Sequence, residues 1–147
     1  MNLINLKILI CICFFSFCQT VMGQNIEIKI TNIKSEKGNV CLAFFESDKE
    51  FKNEKPKFEL KSDKHALCKG TMSFFIPYHI GLVGVSVLDD ENADGRMNYK
   101  LISIPREGFG FSNYYHKGLF KPKFDDFSFE LNANETRKVK IKMKYFD

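Results

Sequence analysis

Alternation of apolar and polar residues predicts several β-strands in this chain. The segment from Ile26 to Ile33 is largely alternating, and the segment from Val139 to Tyr145 has lysine at every intervening position. A period of two is typical of a strand with one buried and one solvent-exposed face. Val40–Phe45 and Leu82–Leu88 are almost continuous apolar runs, which favours strands inside a sheet.

Weaker patterns predict the remaining elements. His65 to Ile76 alternates after Gly70, a fifth run follows at 127–131, and a weaker strand is predicted at 99–104. Residues 35–39 form a turn cluster, so the first two strands are expected to pair as an antiparallel hairpin. The polar segment 46–64 is predicted to be a long loop with one helical turn, and Phe51 and Phe58 are expected to lie under the sheet edge.

These elements together predict an all-β protein. No window of helical length shows a period of 3.6 that competes with the strand pattern. About seven short strands joined by turns indicate an antiparallel β-sandwich. At 147 residues the chain fits one domain.

The N-terminus has the pattern of a signal peptide. Lys7 precedes the apolar run 8–17, and Val21-Met22-Gly23 offers a cleavage site before Gln24. The run is about half of the roughly twenty residues that a membrane-spanning helix requires, which disfavours a retained anchor. A lipoprotein signal at Cys18 is disfavoured because Phe17 occupies a position that requires a small residue. We therefore expect residues 1–23 to be removed and 24–147 to be exported, to the periplasm or the exterior, without a membrane span.

Charge and cysteine content narrow the choice of partners. The formal net charge is +4, and the basic residues are interleaved with acidic ones, which argues against a nucleic-acid surface. Of five cysteines, only Cys41 and Cys68 follow the signal peptide. In an exported protein this pair predicts a disulfide that closes a loop of about 28 residues. Two separately buried thiols are the alternative.

An acidic stretch after the predicted strand 82–88 has the spacing of a calcium loop, D-x-[DN]-x-[DN]-G. Oxygen atoms at alternate positions of a tight turn converge on one point, and a hard cation takes six to eight such ligands. The predicted ligands are Asp90, Asn92, Asp94, the carbonyl of Arg96, and Asn98, completed by Asp89 or Glu107 folding back. The loop is not an EF-hand, because Leu101 stands where the bidentate glutamate belongs. A metal-free turn remains the alternative.

A glycine-hinged aromatic segment follows from Ile104 to Asn113, and two interpretations of it are open. Its phenylalanines either form a binding patch or close the end of the sandwich, whereas the tyrosines beyond it favour a surface role. The candidate binding loop comprises Glu107, Phe109, Phe111, Ser112, Asn113, Tyr114 and Tyr115.

The motifs in this region resemble those of the DUF2141 family of uncharacterised bacterial exported proteins. The resemblance is carried by DENADGRMN at 90–98, IPREGFGFSN at 104–113, the spaced phenylalanines of 122–129, and the terminal strand 139–145. It implies a signal peptide and an immunoglobulin-like or transthyretin-like sandwich, and it implies no established activity. Asp89 departs from the pattern, because the family usually has histidine there, which weakens a transition-metal site.

No catalytic motif is found. Nucleophile-elbow, zincin and phosphate-loop patterns are missing from the sequence, and the three histidines share no spacing. We therefore predict a non-catalytic binding or accessory module of the cell envelope, with an envelope protein or a glycan as partner and calcium as the candidate cofactor. The alternatives are a purely structural module and a hydrolase that uses Asp90 and Glu107 as a carboxylate pair.

Overall fold

Short strands make up almost all of the regular structure. The computed structural model describes residues 23–100, 104–118 and 120–146. The elements in chain order are β1 (Asn25–Thr31), β2 (Asn39–Phe45), α1 (Asp48–Lys52), β3 (Phe58–Asp63), β4 (Met72–Pro77), β5 (Gly81–Asp90), β6 (Tyr99–Lys100), β7 (Ile104–Pro105), β8 (Gly108–Phe111), a 3-10 helix (Phe124–Asp126), β9 (Ser128–Leu131) and β10 (Thr136–Lys142).

The strands form two main sheets. In the first sheet the order is β10-β1-β4, where β1 runs parallel to β10 and antiparallel to β4. In the second sheet the order is β3-β2-β5-β8, all antiparallel, and β9 pairs with the first half of β5. This arrangement confirms the predicted all-β sandwich. The immunoglobulin-like or transthyretin-like topology that the resemblance implies stays a prediction.

The core lies between the sheets because alternate side chains of each strand point inward. Ile26, Ile28 and Ile30 of β1 are fully buried, and Leu42 and Val85 line the facing sheet. Each such side chain stabilises the fold by about 1.5–3 kcal/mol relative to an exposed one. The predicted strands at 26–33, 40–45, 82–88, 127–131 and 139–145 all contribute to this core.

The predicted hairpin of the first two strands is wrong. β1 pairs with β4 and β10, whereas β2 pairs with β3 and β5 in the other sheet. Both strands bury one apolar face, so they face each other across the core instead of lying edge to edge. Ile33 anchors the connection that passes from β1 in the first sheet to β2 in the second. Its side chain is buried, and its N–H donates to the Gly70 carbonyl at 3.0 Å.

The segment 46–64 is more regular than predicted. The helical turn is confirmed as α1, which Ser47 caps by accepting a hydrogen bond from the Glu50 N–H. Phe51 is buried as expected, but Phe58 is 41% exposed and begins the unpredicted strand β3. Because β3 is an edge strand with no buried residue, its sequence lacks the apolar alternation that identifies a strand.

The glycine-hinged segment is also a strand, and its phenylalanines are buried. A Cβ on Gly108 would lie 2.3 Å from the Tyr145 ring, and one on Gly110 would lie 2.6 Å from Ile141. Because these two glycines have no side chain, the C-terminal segment can approach β8 closely. The backbones of Phe109 and Lys144 consequently exchange two hydrogen bonds of 3.0 and 2.7 Å, which joins the two sheets along one side.

A second apolar cluster lies on the outer face of the second sheet, under α1 and the 3-10 helix. It consists of Phe45, Phe51, Phe109, Phe111, Phe124 and Phe127. Their rings meet edge-on or tilted, as aromatic pairs prefer. This cluster uses six of the sixteen phenylalanines, so the high phenylalanine content serves a core outside the sandwich.

The predicted disulfide is not formed, and both cysteines are free. Cys41 lies on the outer face of β2, where its Sγ is 3.8 Å from the Asp90 carboxylate. Cys68 is exposed in the connection between β3 and β4. Burial, followed by the charge of Asp90, raises the pKa of Cys41 to about 11, which disfavours its reactive thiolate.

Two predictions fall wholly or partly outside the described residues. The signal peptide 1–23 lies there except for Gly23, and the weak strand 99–104 lacks a description of 101–103. On either side of that gap, Tyr99–Lys100 and Ile104–Pro105 pair antiparallel. In the part of the chain that the structure describes, helices are too short and too polar to cross a membrane.

Candidate functional site

The second sheet ends in two adjacent acidic residues that point in opposite directions. Asp89 and Asp90 close β5, and both are fully buried. Because side chains alternate along a strand, Asp89 points between the sheets and Asp90 points to the outer face. The acidic loop, residues 90–98, starts from Asp90 and therefore lies on the outer side.

Asp90 holds the start of the acidic loop. One carboxylate oxygen accepts the Asp94 N–H at 3.0 Å, and the other accepts the Gly95 N–H at 2.9 Å. The exposed Lys61 ammonium lies 3.8 Å from the second oxygen. Both oxygens of Asp90 are thus committed to the loop backbone, so this residue positions the turn.

Three oxygen atoms converge on the side-chain amide nitrogen of Asn98. Asp94 Oδ2 lies at 2.9 Å, the Arg96 carbonyl at 3.3 Å and Glu107 Oε2 at 3.4 Å. An amide group has only two N–H hydrogens to share among these acceptors. The amide is therefore shared among three acceptors, two of which have a further donor: Asp94 Oδ2 also accepts the Asn92 amide and Glu107 Oε2 also accepts the Asn98 backbone N–H.

Glu107 lies outside the acidic loop, in the connection between β7 and β8, and its carboxylate reaches the Asn98 amide. It is 6% exposed, its Oε2 accepts the Asn98 N–H at 3.1 Å, and its buried Oε1 has no hydrogen-bond partner. Burial raises the pKa of this carboxyl, and the charges of Asp90 and Asp94 raise it further. Hydrogen bonds from Asn98 and from the Arg96 N–H instead lower the pKa of Asp94.

The structure brings together Asp94, the Arg96 carbonyl, Asn98 and Glu107, whereas both Asp90 oxygens accept backbone N–H groups and Asp89 points away. Asn92 contributes through its side chain, which accepts the Asp94 N–H and donates to Asp94 Oδ2, both at 3.0 Å. Over the described residues, no three histidine, cysteine or acidic side chains gather in a way that would hold a metal alone. A cation here would need carbonyl and amide oxygens besides carboxylates.

Asp89 belongs to a separate buried network that sequence reasoning missed. The Lys64 ammonium is fully buried and donates to Asp89 Oδ1, to the Ser35 carbonyl at 2.9 Å and to the Lys37 carbonyl at 2.6 Å. Tyr145 donates its hydroxyl to Asp89 Oδ2 at 2.5 Å. Lys64 stands among several exposed lysines, so the sequence carries no signal that it is buried.

The candidate binding loop divides into a buried and an exposed half. Phe109 and Phe111 are 8% and 7% exposed and belong to the outer phenylalanine cluster. Ser112 is fully buried, where its Oγ accepts the Val85 N–H at 2.9 Å and donates to the Phe127 carbonyl at 2.6 Å. Up to this point the segment closes the structure instead of offering a binding patch.

Beyond Ser112 the same segment covers the edge of β10 and reaches the surface. The Asn113 N–H donates to the Lys140 carbonyl at 2.8 Å, and its side-chain oxygen accepts the Lys140 N–H at 2.9 Å. Tyr114 is half-buried and Tyr115 is 45% exposed. They border an open groove of about 500 Å³ that is also lined by Lys29, Thr31, Asn113, Lys140, Ile141 and Lys142.

The three histidines lie apart from the acidic loop and from one another. His65 is near Asp63, and His79 lies 2.6 Å from Glu46. His116 packs against the Phe109 and Phe111 rings, and both of its buried ring nitrogens lack a hydrogen-bond partner. No described histidine stands beside the acidic loop as a proton donor or acceptor.

Comparison with known proteins identifies a family over most of the chain. The family model described as "Uncharacterized protein conserved in bacteria (DUF2141)" matches residues 28–140. No curated protein and no solved structure matches the chain. The matched residues include all ten strands, β1 and β10 in part, and the whole acidic loop. Because the match extends over more than half of its length, the chain belongs to the DUF2141 family.

Proposed function

We propose that this protein is a non-catalytic binding module of the cell envelope whose acidic loop is organised by Ca²⁺. The observation that supports the proposal is the convergence of Asp94, Arg96 and Glu107 oxygens on the Asn98 amide nitrogen. A second feature of the same site is the buried, unpartnered Oε1 of Glu107. Two carboxylates and a carbonyl at one point are the ligands that calcium prefers.

Calcium would take the position of the Asn98 amide nitrogen. The oxygens lie 2.9–3.4 Å from that nitrogen, whereas calcium–oxygen distances are about 2.3–2.6 Å. A modest contraction of the loop, with the Asn98 side chain turned to present its oxygen, would give four protein ligands. Water completes the coordination of calcium in sites of this kind.

The composition of the site suits a calcium-rich compartment. With only Asp94 and Glu107 supplying charge, we expect a dissociation constant on the order of 10⁻⁴ to 10⁻³ M, the range of extracellular modules. Such a site would fill outside the cytoplasm and stay empty inside it. This expectation agrees with export of the chain, which the sequence predicts from residues 1–23.

A binding role is favoured over catalysis by the bonding of the candidate groups. Asp90 is fully buried and both of its oxygens accept backbone N–H groups, so its carboxylate does not face a substrate in solution. The groove beside Tyr114 and Tyr115 has no acidic side chain in its lining. A hydrolase with Asp90 and Glu107 as its carboxylate pair is the weaker candidate.

The calcium proposal is tested by thermal unfolding of the purified protein in excess EDTA and in CaCl₂. At ten times the dissociation constant, a ligand that binds only the folded state stabilises it by about 1.4 kcal/mol, which gives a rise in Tm of several degrees. We expect this rise in the wild type and its loss in Asp94→Asn and Glu107→Gln. The matched control Glu91→Gln changes an exposed acid of the same loop and should keep the rise.

Magnesium provides the second control, because it requires a smaller, near-octahedral site. An equal rise in MgCl₂ would indicate general charge screening. No rise in CaCl₂ for the wild type, or an equal rise in Glu107→Gln, would overturn the calcium site and leave residues 90–98 as a metal-free turn.

A further inference from the structure

The groove on the first sheet has the chemistry of an anion-binding surface. Lys29 on β1 and Lys140 on β10 are direct neighbours in the parallel register, and Lys142 follows two residues further along β10. All three line the groove with Tyr114 and Tyr115. Over the residues that the structure describes, none of these lysines lies within ion-pair distance of a carboxylate.

Protection of a sheet edge does not account for these lysines. Lysine on an edge strand is a common device against pairing with another chain. Here Asn113 already occupies the edge of β10, because its backbone and side chain bond both polar groups of Lys140. The lysine side chains point instead from the face of the sheet, where Lys138 extends their row and Glu27 is the nearest opposing charge in the register.

The tyrosines distinguish the groove from a plain basic patch. Tyr115 is 45% exposed, and the Lys142 ammonium lies 5.2 Å from its ring centre, which fixes the ring at the side of the groove. A tyrosine ring offers an apolar face for a flat apolar surface and a hydroxyl for hydrogen bonds. The sugar rings of a glycan have such surfaces, with hydroxyl groups at their rims.

We infer that this groove binds an acidic polysaccharide, a chain of sugars that carry carboxylate or sulfate groups. Lysines at alternate positions of β10 repeat every 7 Å or so, which suits a polymer with regularly spaced negative charges. The volume of about 500 Å³ lies within the range of small-ligand sites. This inference rests on the proposed binding role and names its ligand class, and it does not depend on the calcium site.

The test is to measure by titration calorimetry the binding of the purified protein to a short oligogalacturonate, at low ionic strength and in EDTA. Two probes of equal length separate the contributions: a neutral maltooligosaccharide carries sugar without charge, and polyglutamate carries charge without sugar. We expect oligogalacturonate to bind most tightly, with affinity that falls as salt is added. EDTA keeps calcium from bridging the oligomer to the acidic loop.

Variants locate the site and separate charge from stacking. Lys140→Gln with Lys142→Gln should weaken binding about tenfold or more at low salt, since surface charges act over about 30 Å at roughly 0.01 M ionic strength. The double variant Lys49→Gln, Lys55→Gln removes the same charge from exposed positions near α1 and should bind normally. Tyr115→Ala should weaken binding several-fold or up to about tenfold, and Tyr115→Phe should retain it.

Each contrary outcome overturns the inference in a distinct way. Equal affinity for polyglutamate would identify an acidic peptide as the partner, and an unchanged affinity in the Lys140, Lys142 variant would place the binding elsewhere. No binding of oligogalacturonate would remove the assigned ligand. If CaCl₂ still raises the Tm in that case, the calcium proposal stands while the ligand assignment falls.

Discussion

Asp89 and Asp90 are adjacent and equally buried, but they differ in the source of compensating positive charge. Asp89 faces the buried ammonium of Lys64, which the chain itself supplies. On the outer side, Asp90 has only the half-exposed Lys61 at 3.8 Å. In the described part of the chain no base lies within ion-pair distance of Glu107.

The two sites differ in whether every buried carboxylate oxygen has a partner. Burying a carboxylate is costly unless it is paired and hydrogen-bonded. The inner site meets this requirement, because all three Lys64 hydrogens and both Asp89 oxygens have partners. The outer site leaves Glu107 Oε1 without one. A cation from solution would make the outer site resemble the inner one.

The largest expected effect comes from removing the internal cation. Lys64→Met leaves Asp89 buried without a counter-charge, so we expect the free energy of unfolding to fall by about 3–5 kcal/mol in urea titrations. Lys61→Met, the control on the outer side, removes a half-exposed lysine and should cost no more than about 1 kcal/mol.

A second substitution separates loss of the pair from loss of the lysine chain. Adding Asp89→Asn to Lys64→Met removes the unpaired charge while retaining an oxygen that accepts from Tyr145. We expect this double variant to regain much of the lost stability. If Lys64→Met destabilises no more than Lys61→Met, the buried pair is not the compensated site described above.

The next effect reverses the charge balance of the outer site. Asn98→Asp replaces the donor amide with another carboxylate among three oxygens. In EDTA we expect a loss of about 1–2 kcal/mol, since a hydrogen bond to a charged group is replaced by repulsion. In CaCl₂ the added charge should tighten binding about tenfold, which calcium titration calorimetry measures.

The matched control is Asn53→Asp, which makes the same change at an exposed position after α1. It should neither destabilise the metal-free protein by a similar amount nor alter calcium affinity. Weaker calcium binding by Asn98→Asp would contradict a site centred on residue 98.

The parts of the fold that were predictable are those with one buried face. Ile26, Ile28 and Ile30 alternate because Glu27 and Lys29 face solvent, so the sequence carries the strand directly. β3 has no buried residue, so its pattern is polar throughout. β8 is buried on both faces, and its glycines resemble a hinge unless the packing against Tyr145 and Ile141 is known.

Pairing and burial partners were less predictable because they depend on contacts distant in sequence. The turn at 35–39 suggested a hairpin, but only the shared core shows that β1 and β2 belong to different sheets. Spacing alone indicates the acidic loop, but it leaves Asp89 and Glu107 as alternatives for the residue that folds back, and only the structure shows that Glu107 reaches Asn98. Lys64 contacts Asp89 across 25 positions, and nothing in the polar segment around it distinguishes it from exposed lysines.

The smallest effect is the pH dependence of Glu107, which tests whether a cation compensates the outer carboxylates. Burial and the neighbouring Asp90 and Asp94 raise the pKa of its carboxyl above the ordinary 4.5. Above pH 4.5 the folded state therefore binds more protons than the unfolded state, and the free energy of unfolding falls as pH rises through the folded pKa. Asp94 has a lowered pKa and acts in the opposite sense, but only below 3.8.

Urea midpoints measured from about pH 4.5 to 7 in EDTA should show this decline in the wild type and a flatter profile in Glu107→Gln. In CaCl₂ the sign should reverse for the wild type, because calcium binds the ionised carboxylate and competes with its proton. A wild-type profile in CaCl₂ that still declines like the EDTA profile would mean that calcium does not compensate Glu107. The outer carboxylates would then lack the counter-charge that Lys64 gives to Asp89.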